Sequence, residues 1–129
     1  MGYGFSKTVD RPFDAAVEKV TAELQKEGFG VLTTIDVKET LKKKLNVDFK
    51  KYKILGACNP PFAHKALQAE EEIGLLLPCN VIVYEKDGKS VVAAFDPLSM
   101  SRVMNNPGVE PIAVEMKTRL ERVIAAVLE

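Results

Sequence analysis

The sequence has few of the residues on which catalytic and structural chemistry most often depends. Among its 129 residues there are one histidine, two cysteines and no tryptophan. Two cysteines cannot build the disulfide framework of a small secreted protein, and neither lies in a C-x-x-C pair. A chain of this length buries enough surface to fold without a disulfide or a metal, so we expect a reducing, cytoplasmic location.

The sequence also lacks an excess of one charge and a long apolar run. It carries 18 basic and 18 acidic residues, for a formal net charge of zero. Nucleic-acid binding usually rests on a basic surface, so this balance argues against it. The apolar stretch at residues 73–84 is too short to cross a bilayer and is interrupted by Pro78. We therefore expect one domain over residues 1–129, with neither a nucleic-acid nor a membrane partner.

Hydrophobic periodicity predicts alternating strands and helices, in the order β-α-β-α-β-α-β-β-α-α. Strand-like alternation and β-branched content are typical of one set of segments. These segments are residues 3–9, 29–37, 52–58, 79–85 and 90–95. Helical spacing predicts helices over another set. These are residues 12–27, 38–46 and 60–70, a short helix after Asp96 and a last helix from Pro111.

Turn and cap residues fix several of these boundaries. Gly28 is placed to supply a left-handed helix end, and Asp87-Gly88 between two apolar runs indicates a hairpin. Asp36 and Glu39 have the spacing of a capping box, and Asn59 before Pro60 indicates a helix start capped by asparagine. The pattern predicts an α+β two-layer sandwich, in which one mixed sheet of about five strands is covered by helices mainly on one face.

Cys58 is the first residue that could carry chemistry, because it ends a strand just before a helix N-terminus. The helix dipole there stabilises an anion, so a thiolate at Cys58 would have a lowered pKa. The alternative is a small apolar residue that fills space. Cys79 starts the next strand and has the same two interpretations. If the two strands are antiparallel neighbours, the thiols meet at one rim of the sheet; if they are parallel, they lie at opposite rims.

His64 is the only candidate base or metal ligand of its type. It lies about one turn into the third helix, where a surface histidine is the simpler interpretation. Zinc needs three or four ligands at suitable spacing, so zinc is only an open alternative and no metal site is assigned. An exposed His64 could still capture an adventitious metal ion.

Four fragments together carry a family resemblance. They are residues 11–45, YKILGACNP (52–60), LLLPCNVIVYEKDG (75–88) and FDP (95–97). In order and spacing they resemble the bacterial and archaeal family called domain of unknown function 302, over nearly the whole chain. The resemblance implies a compact two-layer α/β domain that self-associates, and no defined activity. It makes Cys58, Cys79 and Asp96 the candidate ligand-binding residues.

Three functions remain open from the sequence. The first is a small cytoplasmic binding domain, dimeric, with a pocket near Cys58 and Cys79. The second is a thiol-dependent enzyme or redox protein that uses Cys58, although no base is clearly placed beside it. The third is a structural or protein-interaction module that acts as a homodimer through an exposed apolar patch.

Overall fold

Five strands form a single antiparallel sheet in the computed structural model, which describes residues 2–128. The strands are β1 (Gly4–Val9), β2 (Gly30–Asp36), β3 (Tyr52–Cys58), β4 (Cys79–Lys86) and β5 (Lys89–Phe95). Their spatial order is β1-β5-β4-β3-β2. The predicted α+β class and strand number are confirmed, but all four neighbouring pairs are antiparallel, so the sheet is not mixed. The reason is that β1, β4 and β2 run in one direction and β5 and β3 in the other, so each strand lies beside strands of the opposite direction.

Five α-helices and one 3-10 helix accompany the sheet. They are α1 (Phe13–Lys26), α2 (Val37–Leu45), α3 (Pro60–Ala69), the 3-10 helix (Glu71–Leu76), α4 (Pro97–Met104) and α5 (Glu110–Val127). Helices α1 and α5 pack on each other and on one face of the sheet. No helix in residues 2–128 combines the length and the apolar character needed to span a bilayer.

The main core lies between that face of the sheet and the two long helices. Alternate residues of the central strands point into it, as the two-residue period of a strand requires. Leu55, Val81 and Val92 there meet Leu24 and Leu120, and all are at most 2% exposed. A second cluster of buried hydrophobic residues joins α3, the 3-10 helix and α4, through Ala66, Ile73 and Met100.

The turn signals in the sequence are mostly confirmed. Gly28 has a φ of 85°, and Asp87 and Gly88 have φ values of 52° and 77°, as a tight hairpin turn needs. The Glu39 backbone N–H donates a 3.0 Å hydrogen bond to Asp36 Oδ1. Local backbone chemistry therefore set these boundaries as predicted.

Candidate functional site

Cys58 and Cys79 lie at the same rim of the sheet. Strands β3 and β4 are antiparallel neighbours, and Ala57 pairs directly with Cys79. Cys58 is the last residue of β3 and Cys79 the first residue of β4. Of the two arrangements that the sequence left open, the chain adopts the one that brings the thiols together.

Both cysteines line a cavity of about 300 Å³ at this rim. The cavity lies where β3 ends, β4 begins and α3 and α5 pass. Its remaining wall is largely aliphatic and includes Leu32, Leu67, Pro78 and Met116. Nothing in this lining is charged. The cavity can therefore accept an uncharged apolar group without leaving a buried charge unpaired.

Asn59 is the amide of the cavity wall, and its predicted capping role is wrong. It occupies the N-cap position of α3, but its side chain makes no capping hydrogen bond. Pro60 and Pro61 follow, and proline has no backbone N–H, so the first two helical positions offer no donor to cap. The Asn59 side chain instead donates from Nδ2 to the Glu27 carbonyl at 3.3 Å.

The same Glu27 carbonyl also accepts from α5. Arg119 Nη1 donates to it at 3.0 Å, and the Arg119 guanidinium lies 5.0 Å from the centroid of the Phe62 ring. The Glu27 carboxylate binds Arg122 at 2.8 Å. These contacts tie the end of α1 to the start of α3 and to α5, directly behind the Asn59 wall of the cavity.

Burial keeps both thiols protonated. Cys79 is 1% exposed, and its burial, with a smaller contribution from nearby Cys58, raises its pKa from 9.0 to about 12. Burial also raises the pKa of the half-buried Cys58 thiol. The predicted lowering of the Cys58 pKa by the α3 N-terminus is therefore wrong: the pKa shifts upward, and the cause is burial. A raised pKa lowers the fraction of thiolate, the nucleophilic form, at neutral pH.

This environment predicts slow alkylation of the native protein. At pH 7.5, iodoacetamide should modify Cys58 more slowly than a free thiol and Cys79 hardly at all, because the thiolate is the reacting species. Mass spectrometry of time points, with the urea-unfolded chain as the control, measures both rates. If Cys58 is alkylated faster in the native protein than in the unfolded chain, this expectation is contradicted and a thiol-dependent activity of Cys58 is favoured.

The histidine does not join the thiols at the cavity. His64 is exposed on α3 and is not part of the cavity lining. In residues 2–128, no three side chains among His, Cys, Asp and Glu come together as a metal site. A zinc ion at Cys58 and Cys79 would thus need its further ligands from elsewhere.

Asp96 lies next to β5 at the same end of the sheet, but its carboxylate is used structurally. Its Oδ1 accepts from the Leu98 backbone N–H at 2.9 Å, which caps α4. Its Oδ2 binds Lys117 Nζ at 3.1 Å. Because the carboxylate is occupied and does not line the cavity, its position supports a structural role.

A family match accompanies this geometry. Residues 5–127 match the model of the domain of unknown function DUF302. The chain belongs to the DUF302 family. It is also similar to the crystal structure of an uncharacterized conserved DUF302 protein from Bacillus stearothermophilus, at 29% identity and a TM-score of 0.91. That alignment covers 98% of this chain and 99% of the other, whereas no curated protein matches.

Sequence reasoning missed the part of the DUF302 cavity that comes from other elements. Met116 of α5 and Leu32 of β2 line the cavity, and the sequence pattern of a helix or a strand does not single out either residue. Leu32 lies at an irregularity of β2, between Val31 and Thr33, where the pairing register with β3 shifts. Such a shift depends on the partner strand and has no signal in the local sequence.

Another hollow of this DUF302 domain is a charged surface. It lies beside α2 and is lined by acidic and basic side chains. The charges neutralise one another: Lys43 binds Glu39 at 2.8 Å and Lys42 binds Asp48 at 3.4 Å. Lys38 Nζ donates to the Phe49 carbonyl at 2.8 Å and Asp36 accepts the Glu39 N–H, so most charged groups of the hollow already have a partner within the chain.

Proposed function

We propose that this DUF302 domain binds a small, uncharged and mainly apolar molecule in the cavity beside Cys58 and Cys79. The observation that carries the proposal is the cavity itself: about 300 Å³ lined by aliphatic side chains, two protonated thiols and one amide. Ligand pockets of small molecules begin at about this size and have few polar groups among apolar ones.

The chemistry of the lining selects the class of ligand. A charged group entering the cavity would lose hydration and meet no opposite charge, which costs far more than the roughly 2–7 kcal/mol of an unpaired neutral polar group. A ring or branched aliphatic group would instead contact carbon and sulfur atoms on most sides. The Asn59 amide and the Cys58 thiol are the polar groups that could orient such a molecule.

The thiols serve this function as soft contacts. Sulfur is polarisable and packs well against aromatic and apolar groups. The raised pKa of both thiols favours this role over nucleophilic attack. Both cysteines are free, so the proposal includes a reducing compartment such as the cytoplasm.

Indole is a suitable probe of the cavity, because it is compact, uncharged and mainly apolar. Titration of indole into the ¹⁵N-labelled protein should shift the backbone amide signals of Ala57, Cys58 and Cys79. Ala63→Phe should weaken this binding at least about tenfold by filling the cavity from α3. Ala125→Phe adds the same ring at an exposed position of α5, away from the cavity, and is the matched control.

The expected pattern is local shifts in the wild type and in Ala125→Phe, and their loss in Ala63→Phe. Shifts that spread over unrelated surfaces, or equal binding by both variants, would show that indole does not use the cavity. Absence of any shift at millimolar indole would overturn the proposal that the cavity accepts uncharged apolar rings.

A further inference from the structure

Within residues 2–128, no layer packs against one face of the sheet, and this face is named here the open face. It carries the strand residues that alternate with those of the main core, since α1 and α5 both lie on the core side. Ile82 pairs with Ile54 and with Ala93, and these side chains form its centre. Helix α2 buries none of its own residues and so adds no second core there.

The centre of the open face is apolar and aromatic, and polar residues such as Ser6, Asn80 and Lys86 lie around it. Tyr52 and Tyr84 stack with ring centroids 5.3 Å apart, and Lys50 Nζ lies 4.7 Å from the Tyr84 ring centroid. Phe49 and Tyr3 remain 38% and 66% exposed beside them. The side chains of the open face surround a shallow groove of about 570 Å³. Monomeric soluble proteins rarely leave such a contiguous apolar surface uncovered.

We infer that the open face packs against the open face of a second copy of this chain. The resulting dimer has four layers, in the order helices, sheet, sheet, helices, with the two sheets about 10 Å apart. This inference does not depend on the proposed ligand cavity, which lies at the rim of the sheet on the core side.

The area of the open face fits a stable dimer. Five strands spaced about 4.8 Å apart and six to eight residues long give a face of about 24 Å by 20 Å. Its projected area is about 500 Å², and the upright side chains and the adjoining residues 45–50 increase the accessible area toward the roughly 800 Å² per partner of a standard interface.

Charge also favours a second copy over an anionic partner. The net charge is zero, and Lys50 and Lys86 are the lysines beside the groove. Both lie toward the Tyr52–Tyr84 end. When the strands of the two copies run antiparallel, this bulky end lies over the Asn80 end of the partner, and like charges stay apart. A membrane or nucleic-acid surface would instead need a dense cluster of basic groups.

Light scattering coupled to size exclusion tests the inference directly. The wild type should have twice the 14.2 kDa chain mass. Ile82→Glu places a charge at the centre of the open face and should give a monomer. Val114→Glu introduces the same charge on α5 at a position 48% exposed, and should remain a dimer.

A second variant at a more exposed position tests the same inference in case Ile82→Glu does not fold. Ile35 is 48% exposed on the edge strand β2, so Ile35→Glu should fold normally and raise the dimer dissociation constant at least about tenfold. Circular dichroism checks the fold of each variant. A monomeric wild type at 100 µM, or a folded Ile35→Glu variant that dimerises as tightly as Val114→Glu, would overturn the inference.

Discussion

Raising the pH from about 8 to about 11 is expected to lower the free energy of unfolding by about 3 kcal/mol through Cys79 alone. In the folded chain, burial raises the pKa of Cys79 from 9.0 to about 12, whereas in the unfolded chain the thiol is hydrated. Above pH 9 the unfolded chain therefore loses a proton that the folded chain keeps. This stabilising contribution is complete below pH 9 and is lost as the pH rises toward 12.

Urea unfolding at a series of pH values measures this dependence. Tyrosines and lysines also titrate in this range, so the informative quantity is the difference in slope between the wild type and Cys79→Ala. Cys58→Ala is the matched control, because Cys58 is less buried and should leave most of the slope in place. Equal slopes in the wild type and Cys79→Ala would contradict the burial of the thiol.

Replacing Asp96 with alanine is expected to lower the free energy of unfolding by about 2–3 kcal/mol. The alanine variant loses the cap of α4 and leaves Lys117, whose side chain is 28% exposed, without its carboxylate. Asp96→Asn keeps an oxygen that can accept from the Leu98 N–H, so it should cost about 1 kcal/mol.

Thermal and urea unfolding of the two variants separate the cap from the ion pair. Indole titration of Asp96→Asn adds a functional readout, because a structural Asp96 should leave the cavity unchanged. Normal stability of Asp96→Ala combined with lost indole binding would reverse this assignment and make Asp96 a ligand-binding residue.

Elements defined by local chemistry were predictable from the sequence. Gly28 and the Asp87-Gly88 turn need left-handed backbone, and Asp36 accepts the Glu39 N–H as its spacing requires. Asn59 shows the limit of such rules. Asparagine caps many helices, but here the Asn59 side chain donates to the Glu27 carbonyl instead, and Pro61 removes one of the two backbone donors that a cap normally uses.

The candidate site was predictable only in part. The sequence marked Cys58 and Cys79 but could not choose between parallel and antiparallel strands, because the intervening segment holds both a helix and an extended return. The sequence also led us to expect that the helix dipole would lower the pKa of Cys58, whereas burial raises it. Burial is a sum over elements distant in the chain, so no local pattern reports it.

The hydrogen bonds to the Glu27 carbonyl make one wall of the cavity stiffer than the rest. On the Asn59 side, hydrogen bonds from Asn59 and Arg119 converge on one oxygen and hold the end of α1 and the start of α3 against α5. The lining also contains Leu32 and Leu67, which are 68% and 40% exposed and are therefore less constrained by neighbouring atoms. A ligand that is too wide can gain room most easily toward Leu32 and Leu67. We therefore expect the cavity to reject ligands that need more room at the Asn59 wall and to accept ligands that are wider toward the two leucines.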